Sequence, residues 1–334
     1  MMSIYIHLGA FIIALITTYL TTPKAAQLAK RLGKTGIDIH KPEKPIVPSL
    51  GGLAIVLGII TGAAPALLTE FQVETVVFIS VTLICCLIGL LDDFKVLPGL
   101  LKMGLTLLSI TPIVAGWLMF PDKISLGRPT VPIIGRLRLT IMYWLLLPLA
   151  VAGPANAVNM LEVLNGVMPI TCSIAVSAMI VAAVILGKNV GVLLGLILLG
   201  ALIGYLPHNK YPAKVFSGDT GSLAVGGAIG SLAVISGLEF VTMVALMPHI
   251  LNAFLVVTSV KGFKERRTIK IRPVIVDANG GLTANKAHNA PITLTRLILL
   301  FSGRMREPEV VRVLTGASLW AALLAVISAL MIKG

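Results

Sequence analysis

Ten runs of mostly apolar residues, at roughly 3–21, 50–69, 73–91, 100–119, 140–158, 167–186, 189–206, 222–237, 239–260 and 316–332, constrain this chain more than any other feature. A helix of about 20 apolar residues crosses the ~30 Å hydrocarbon core of a bilayer, where each backbone N–H and C=O must be satisfied within the segment. The runs therefore predict an all-α integral membrane protein with about ten transmembrane helices. Composition agrees: 57% of the 334 residues are hydrophobic and 12% charged, with a mean hydropathy of +0.98, against about 45–50% and about 25% in soluble domains. So few charges exclude an ordinary soluble enzyme, and so much apolar surface excludes a disordered chain. The runs at 222–237 and 239–260 are the least separated, punctuated only around Gly237 and Glu239. The first run does not resemble a cleaved signal peptide, since no Lys or Arg precedes Lys24. No span-length repeat is evident, which argues against transporters built from duplicated halves.

Charge orients the bundle. The connections 22–49, 92–102, 159–166, 207–221 and 261–315 hold 21 Lys and Arg, and the opposite side holds 6. Positive residues stay cytoplasmic, so these loops are expected in the cytoplasm and both termini outside, in a multi-pass cell-membrane protein. Basic loops also account for the net charge of +13, and no nucleic-acid-binding motif is present, so nucleic acid is not an expected partner. Ten of the fourteen carboxylates fall on the same side, with only Glu70, Glu74, Asp122 and Glu239 opposite. A channel or pump would place ionisable groups mid-span; this distribution predicts chemistry at one membrane face. Cys85, Cys86 and Cys172 lie in apolar runs without metal-ligand spacing. The chain reads as a single polytopic domain, 1–334, with 261–315 a cytoplasmic loop region inside it.

Four constellations on that face could carry chemistry. Asp92-Asp93, in GLLDDFKVLPGLLK, end the third span. Adjacent carboxylates at a membrane boundary call for a metal or a cation, although two solvated residues can also simply end a helix. Lys102, nine residues beyond Asp93, either returns to that pocket as a phosphate-binding charge or snorkels to headgroups. Asn156, Asn159, Glu162 and Asn165, in NAVNMLEVLNG, are spaced by three and predict one helical stripe. Their amides suit metal coordination or hydrogen bonds to a sugar or base, or else form an interhelical seam. Phe216-Ser217-Gly218-Asp219-Thr220-Gly221-Ser222 opens the eighth span, where a Gly-flanked Asp either holds a cation beside an anion or caps the helix. The basic stretch from Lys261 to Arg272, with Arg266 and Arg267, either clamps a pyrophosphate or flanks the membrane. RPVIVDANGGLTAN then predicts a hairpin turning at Asn279-Gly280-Gly281. The first long loop adds Asp38, His40 and Lys41. Together these segments point to metal-assisted chemistry on a phosphate-bearing substrate.

GLLDDFKVLPGLLK, NAVNMLEVLNG and PAKVFSGDTGSLAVGG resemble the three signature segments of the polyprenyl-phosphate N-acetylhexosamine-1-phosphate transferases. Within that superfamily the chain is most similar to the archaeal and eukaryal dolichyl-phosphate GlcNAc-1-phosphate transferases. VFSGDTGS is close to the form seen there, Leu164-Asn165-Gly166 lacks the Asp-Gly of peptidoglycan members, and the loop after span nine lacks their histidines. The resemblance implies transfer of GlcNAc-1-phosphate from UDP-GlcNAc to a polyprenyl or dolichyl phosphate, releasing UMP, as the first step of lipid-linked oligosaccharide assembly. It implies Mg²⁺, with Mn²⁺ as a substitute, and membrane lipids as surroundings; a homodimer is compatible with it. By motif, Asp219 and Asn159 would bind the metal, and Lys102 the pyrophosphate. Asp92 and Asp93 would deprotonate the lipid phosphate or order the metal and Lys102. Asn165 and Gly166, with Phe216 and Gly218 beside them, would line the uridine pocket. Asn156, Asp38, Arg266, Arg267 and Arg272 complete the expected substrate contacts. The alternatives are the same phosphotransfer from another donor, such as a UDP-MurNAc-peptide, discriminated by 261–290, and a nucleotide-sugar or anion transporter.

Overall fold

The computed structural model describes every residue except 1, 70, 71, 128, 139, 261, 263–270 and 334. Helix α1 (Met2–Arg31) outruns the first apolar run, because good helix formers from Ala25 to Leu28 carry it past the lipid boundary. It is followed by α2 (Gly52–Thr69), α3 (Val73–Phe94), α4 (Gly99–Leu108), α5 (Thr111–Met119), α6 (Thr140–Leu161), α7 (Val167–Ile185), α8 (Asn189–Asn209) and α9 (Gly218–Ser236). Then come α10 (Glu239–Ala245), α11 (Met247–Ser259), α12 (Leu294–Ser302) and α13 (Glu307–Lys333). Among the described residues nine helical segments are long and apolar enough to cross a membrane, counting α4 and α5 together, and ten if α10 and α11 are one span.

Two of the expected straight spans are interrupted. The run 100–119 divides at Ser109–Ile110, just before Pro112, and 239–260 divides at Leu246 with a 71° bend, just before Pro248. In both, the proline lacks the N–H that would continue the ladder and its ring crowds the preceding turn. Hydropathy is blind to such a break, since both halves are equally apolar.

Short strands decorate the ends. β1 (Thr35–Ile37) pairs antiparallel with β2 (Ile46–Pro48), and β3 (Thr130–Val131) with β4 (Gly135–Arg136) on the opposite connection. The expected hairpin is present as β5 (Val274–Val276) and β6 (Gly281–Ala284), with Val276 opposite Leu282 and Gly280 at φ +72° in the turn. A third strand, β7 (Met305–Arg306), adds to β6 just before α13.

The most enclosed of the membrane-length helices is α9, buried along nearly its whole length against α3, α6 and α2. Side chains small enough for backbones to touch make that position available. A Cβ on Gly52 would overlap the Gly221 backbone, and one on Gly89 the Asp219 carbonyl. The same device clasps α1: Gly58 and Gly62 of α2, and Gly200 and Gly204 of α8, lie against the carbonyls of Ala14, Ala10, Phe11 and Leu15. Gly52→Ala is therefore expected to cost about 1–3 kcal/mol, read as a lower midpoint of thermal unfolding in detergent. Gly9→Ala, where a Cβ meets nothing within 4 Å, is the control and should leave the midpoint in place or raise it. Equal midpoints for the two variants would refute this packing.

Candidate active site

The connections assigned to one face by charge do meet at one end of the bundle. Pro48, at the end of β2, accepts the Phe216 N–H at 2.8 Å, and Phe216 in turn accepts the Gly51 N–H at 2.9 Å. The ring of Phe216 lies over Gly36, where a Cβ would stand 3.1 Å from it. This ties the first loop to the start of α9.

Lys102, buried on the first turns of α4, is the electrostatic centre. Its Nζ donates to Asp92 Oδ2 at 2.8 Å and to Asp219 Oδ2 at 2.6 Å. Asp92 is sealed, whereas Asp219 keeps 26% of its side-chain surface open, so a ligand meets the cluster through Asp219. The other Asp92 oxygen accepts the Leu97 N–H at 2.7 Å. With its two oxygens held, Asp92 fixes the turn between α3 and α4 and so the place of Lys102.

Asp93 points elsewhere, since successive helical residues are about 100° apart. Its Oδ1 accepts the Asp219 N–H at 3.0 Å, and its Oδ2 accepts the Thr220 N–H at 2.9 Å and the Thr220 hydroxyl at 2.6 Å. Ser217, the residue at the N-cap, makes no side-chain cap bond. A carboxylate from α3 thus caps α9 from outside, where the helix dipole favours negative charge. Gly218 is required there: its φ is +71°, and a Cβ would stand 2.5 Å from Asp93 Oδ2.

The predicted stripe of Asn156, Asn159, Glu162 and Asn165 is only half helical, because α6 ends at Leu161 and the last two residues lie in the turn to α7. Asn156 Nδ2 donates to Thr106 Oγ1 at 2.9 Å, a seam between α6 and α4. Asn159 Nδ2 donates to Asp219 Oδ1 and Ser222 Oγ, both at 2.8 Å, which leaves its carbonyl oxygen as acceptor. Glu162 accepts from Ser217 Oγ. Gly166, at φ +79°, starts α7 and donates its N–H to Asn209 Oδ1 at 3.1 Å.

Asn165 is a buried cross-link. Its Oδ1 accepts from Lys41 Nζ at 2.7 Å and from the Ala213 N–H at 2.8 Å, and its Nδ2 donates to Asp38 Oδ2 at 3.1 Å. Lys41 also pairs with Asp38 and, at 3.4 Å, with Glu307 Oε2; Glu307 Oε1 accepts the Asn165 N–H at 2.6 Å. Sequence reasoning named Lys41 only as part of the first loop and gave Glu307 no part in the site. A lone carboxylate ahead of the last apolar run carries no signal until the fold brings it to the first loop.

Arg272 is exposed at the foot of the β5–β6 hairpin, where its carbonyl accepts from Asn285 Nδ2 at 2.9 Å. Arg266 and Arg267 lie outside the described residues. The hairpin turn is pinned by Asp277, which accepts from Arg304 Nε at 2.5 Å and from the N–H groups of Asn279 and Gly281. Hydrogen bonding to Arg304 holds the Asp277 carboxyl down at about 2, so it stays ionised at neutral pH.

An apolar cavity of about 770 Å³ opens between α4, α6, α10 and α11, lined among others by Met103, Leu147, Asn156, Met160 and Phe254. The bend at Leu246 shapes one wall. At its far end the Tyr143 hydroxyl donates to Glu239 at 3.1 Å.

Around Lys102, two carboxylates face one ammonium while Asp93 is committed to the start of α9, a surplus of negative charge in a partly desolvated cleft. All the donors are hard oxygens, the type that suits Mg²⁺. Among the described residues, no three His, Cys, Asp or Glu side chains stand in a ligating arrangement.

Residues 75–237, which include Lys102 and its partners, match the model of glycosyl transferase family 4. A phospho-N-acetylmuramoyl-pentapeptide-transferase of Desulforamulus reducens is 31% identical over 286 residues, 79% of this chain and 84% of that protein. The chain belongs to glycosyl transferase family 4. A family member from Saccharolobus solfataricus, provisionally named a UDP-N-acetylglucosamine–dolichyl-phosphate N-acetylglucosaminephosphotransferase, is 29% identical over 325 residues, covering 95% of this chain and 94% of its own length. A protein of the same provisional name from Sulfolobus acidocaldarius is 29% identical over 330 residues. The family match ends before Glu307 and begins after Asp38 and Lys41, so the cluster at Asn165 joins the matched segment to two segments beyond it.

Proposed function

We propose that this family 4 member transfers GlcNAc-1-phosphate from UDP-GlcNAc to dolichyl or another polyprenyl phosphate at the cytoplasmic face of the membrane, releasing UMP. One observation carries the reading: Lys102 is clamped between Asp92 and Asp219, and the next residue of α4, Met103, lines an apolar cavity of about 770 Å³. A phosphate-binding cation beside a lipid-sized groove suits an acceptor with its phosphate at the headgroup plane and its tail in hydrocarbon. The full-length archaeal relatives support the donor and acceptor by their names. The bias of 21 basic residues against 6 supports a cytoplasmic site with both termini outside.

In the reaction an acceptor-phosphate oxygen attacks the sugar-linked phosphorus of the donor. A new P–O bond forms as the anhydride bond to UMP breaks, and UMP leaves with the bridging oxygen. Lys102 holds the diphosphate by charge, and Asp92 fixes Lys102. Asp93 acts by ordering the start of α9, because both its oxygens are committed there. Asp219 and the Asn159 carbonyl would hold Mg²⁺, which when bound screens the repulsion between the two phosphate substrates. Asn165 and Gly166 form the turn that receives the nucleoside.

The test is transfer of label from UDP-GlcNAc into organic solvent by purified protein supplied with dolichyl phosphate, with Mg²⁺ or with EDTA. Transfer with UMP release that stops in EDTA is expected. Transfer only from a UDP-MurNAc-pentapeptide would overturn the donor assignment but leave the chemistry. No transfer from either donor by folded protein would overturn the reading altogether.

A further inference from the structure

The buried cluster of Asp38, Lys41, Asn165 and Glu307 joins the first loop, the α6–α7 turn and the last helix. Glu307 is 2% exposed and is the only member from the C-terminal part of the chain. Its two oxygens do different work: Oε1 takes the Asn165 N–H at 2.6 Å, and Oε2 faces Lys41 at 3.4 Å. Lys41 in turn holds the Asn165 side chain from its other end at 2.7 Å. The adjoining Gly166 N–H is held by Asn209. A polar cavity of about 240 Å³ opens against two members of the cluster, Lys41 and Glu307, walled also by Tyr211 and the hairpin turn Ala278–Gly280.

From this geometry we propose that Glu307 is a positioning residue for the donor: by gripping Asn165 and Lys41 together it sets the α6–α7 turn in the shape that receives the nucleotide. This rests on the transferase reading, in which that turn meets the nucleoside. Two physical points favour it over a plain structural tie. The cluster carries two carboxylates for one ammonium, more charge than pairing Lys41 requires, since Asp38 already does so; retaining Glu307 as a second buried anion is costly. Its stronger contact, moreover, is with the backbone of a turn rather than with Lys41. An acceptor there fixes the peptide plane of Asn165, and with it the direction in which Asn165 and Gly166 present their groups.

The test compares two side chains of the same length. Glu307→Gln keeps an oxygen for the Asn165 N–H and removes the charge. Glu307→Met fills the space but accepts nothing, so no cavity confuses the comparison. Binding of UDP-GlcNAc with Mg²⁺, without acceptor lipid, is measured by calorimetry on detergent-solubilised full-length protein, alongside the KM and kcat of transfer. The expected result is a Kd and a donor KM raised at least tenfold in Glu307→Met and less than threefold in Glu307→Gln. In both variants kcat should stay within threefold of wild type and the acceptor KM should not move. Donor Kd values within twofold of wild type in both variants, or equal weakening in both, would overturn the proposal. Should Glu307→Met fail to fold, Glu307→Asp carries the test, since it withdraws the same carboxylate by one methylene, and an unchanged Kd there would also overturn it. Failure of the wild type to bind UDP-GlcNAc would instead sink the transferase reading, and this proposal with it.

Discussion

Asp219→Asn is expected to lower the rate of GlcNAc-1-phosphate transfer about a thousandfold, equivalent to about 4 kcal/mol of transition-state stabilisation. The substitution keeps the size and the oxygen that Asn159 approaches at 2.8 Å. It turns the oxygen facing Lys102 into an NH₂ group, so two donors confront each other where an ion pair stood at 2.6 Å. It also removes the one carboxylate of the cluster that is open to a ligand. The fold should survive, because Asp93 caps α9 through the backbone N–H of residue 219 and not through its side chain. Initial rates across a Mg²⁺ titration, normalised to monodisperse protein, provide the measurement. A variant that retains turnover within tenfold of wild type would show that Asp219 is not where the ion and the donor phosphate meet.

The companion result concerns Lys102→Met. Removing the ammonium leaves the Asp92 and Asp219 carboxylates facing one another without their cation, and like charges at such range oppose ionisation of both. Breaking a buried pair in this way costs about 3–5 kcal/mol of stability, so a lower thermal midpoint should accompany the kinetic loss. Turnover per folded molecule should nevertheless fall about a thousandfold, within the range that a cation on a transferring phosphoryl group supplies. Lys102→Arg is expected not to restore it, because a larger planar guanidinium with delocalised charge does not replace the compact ammonium seated between Asp92 and Asp219. Full turnover in whatever fraction of Lys102→Met folds would reduce the lysine to a tie between α4 and α9.

Polar residues stranded in apolar runs are conspicuous, which is why Asp92, Asp93, Lys102, Asn159 and Asp219 could be read from the chain before any fold was known. The direction of each was not legible. Asp92 and Asp93 look equivalent in sequence, yet one turns to Lys102 and the other to the start of α9, a division set by the rotation of α3. The number of spans was likewise readable from length and hydropathy, but the 71° bend at Leu246 was not, since bent and straight helices share one composition. The four-residue polar stripe was misjudged because spacing by three implies a helix only as far as the helix lasts, and α6 stops at Leu161. Glu307 stood out least. Its contact with Lys41 spans 266 positions of sequence, and nothing local marks it as a partner of Asn165.

That long-range contact carries a consequence for how the protein is made. A nascent chain enters the membrane from its N-terminus, so Lys41, Asn165, Asp92, Lys102 and Asp219 are all inserted while Glu307 is still inside the ribosome. Until the segment leading into α13 emerges, the Asn165 N–H lacks its Glu307 acceptor, and only the Asn165 side chain ties the first loop to the α6–α7 turn. Synthesis thus delivers this acceptor last: a ribosome-bound precursor could hold every residue of the phosphate cluster and still leave the peptide plane of Asn165 unfixed.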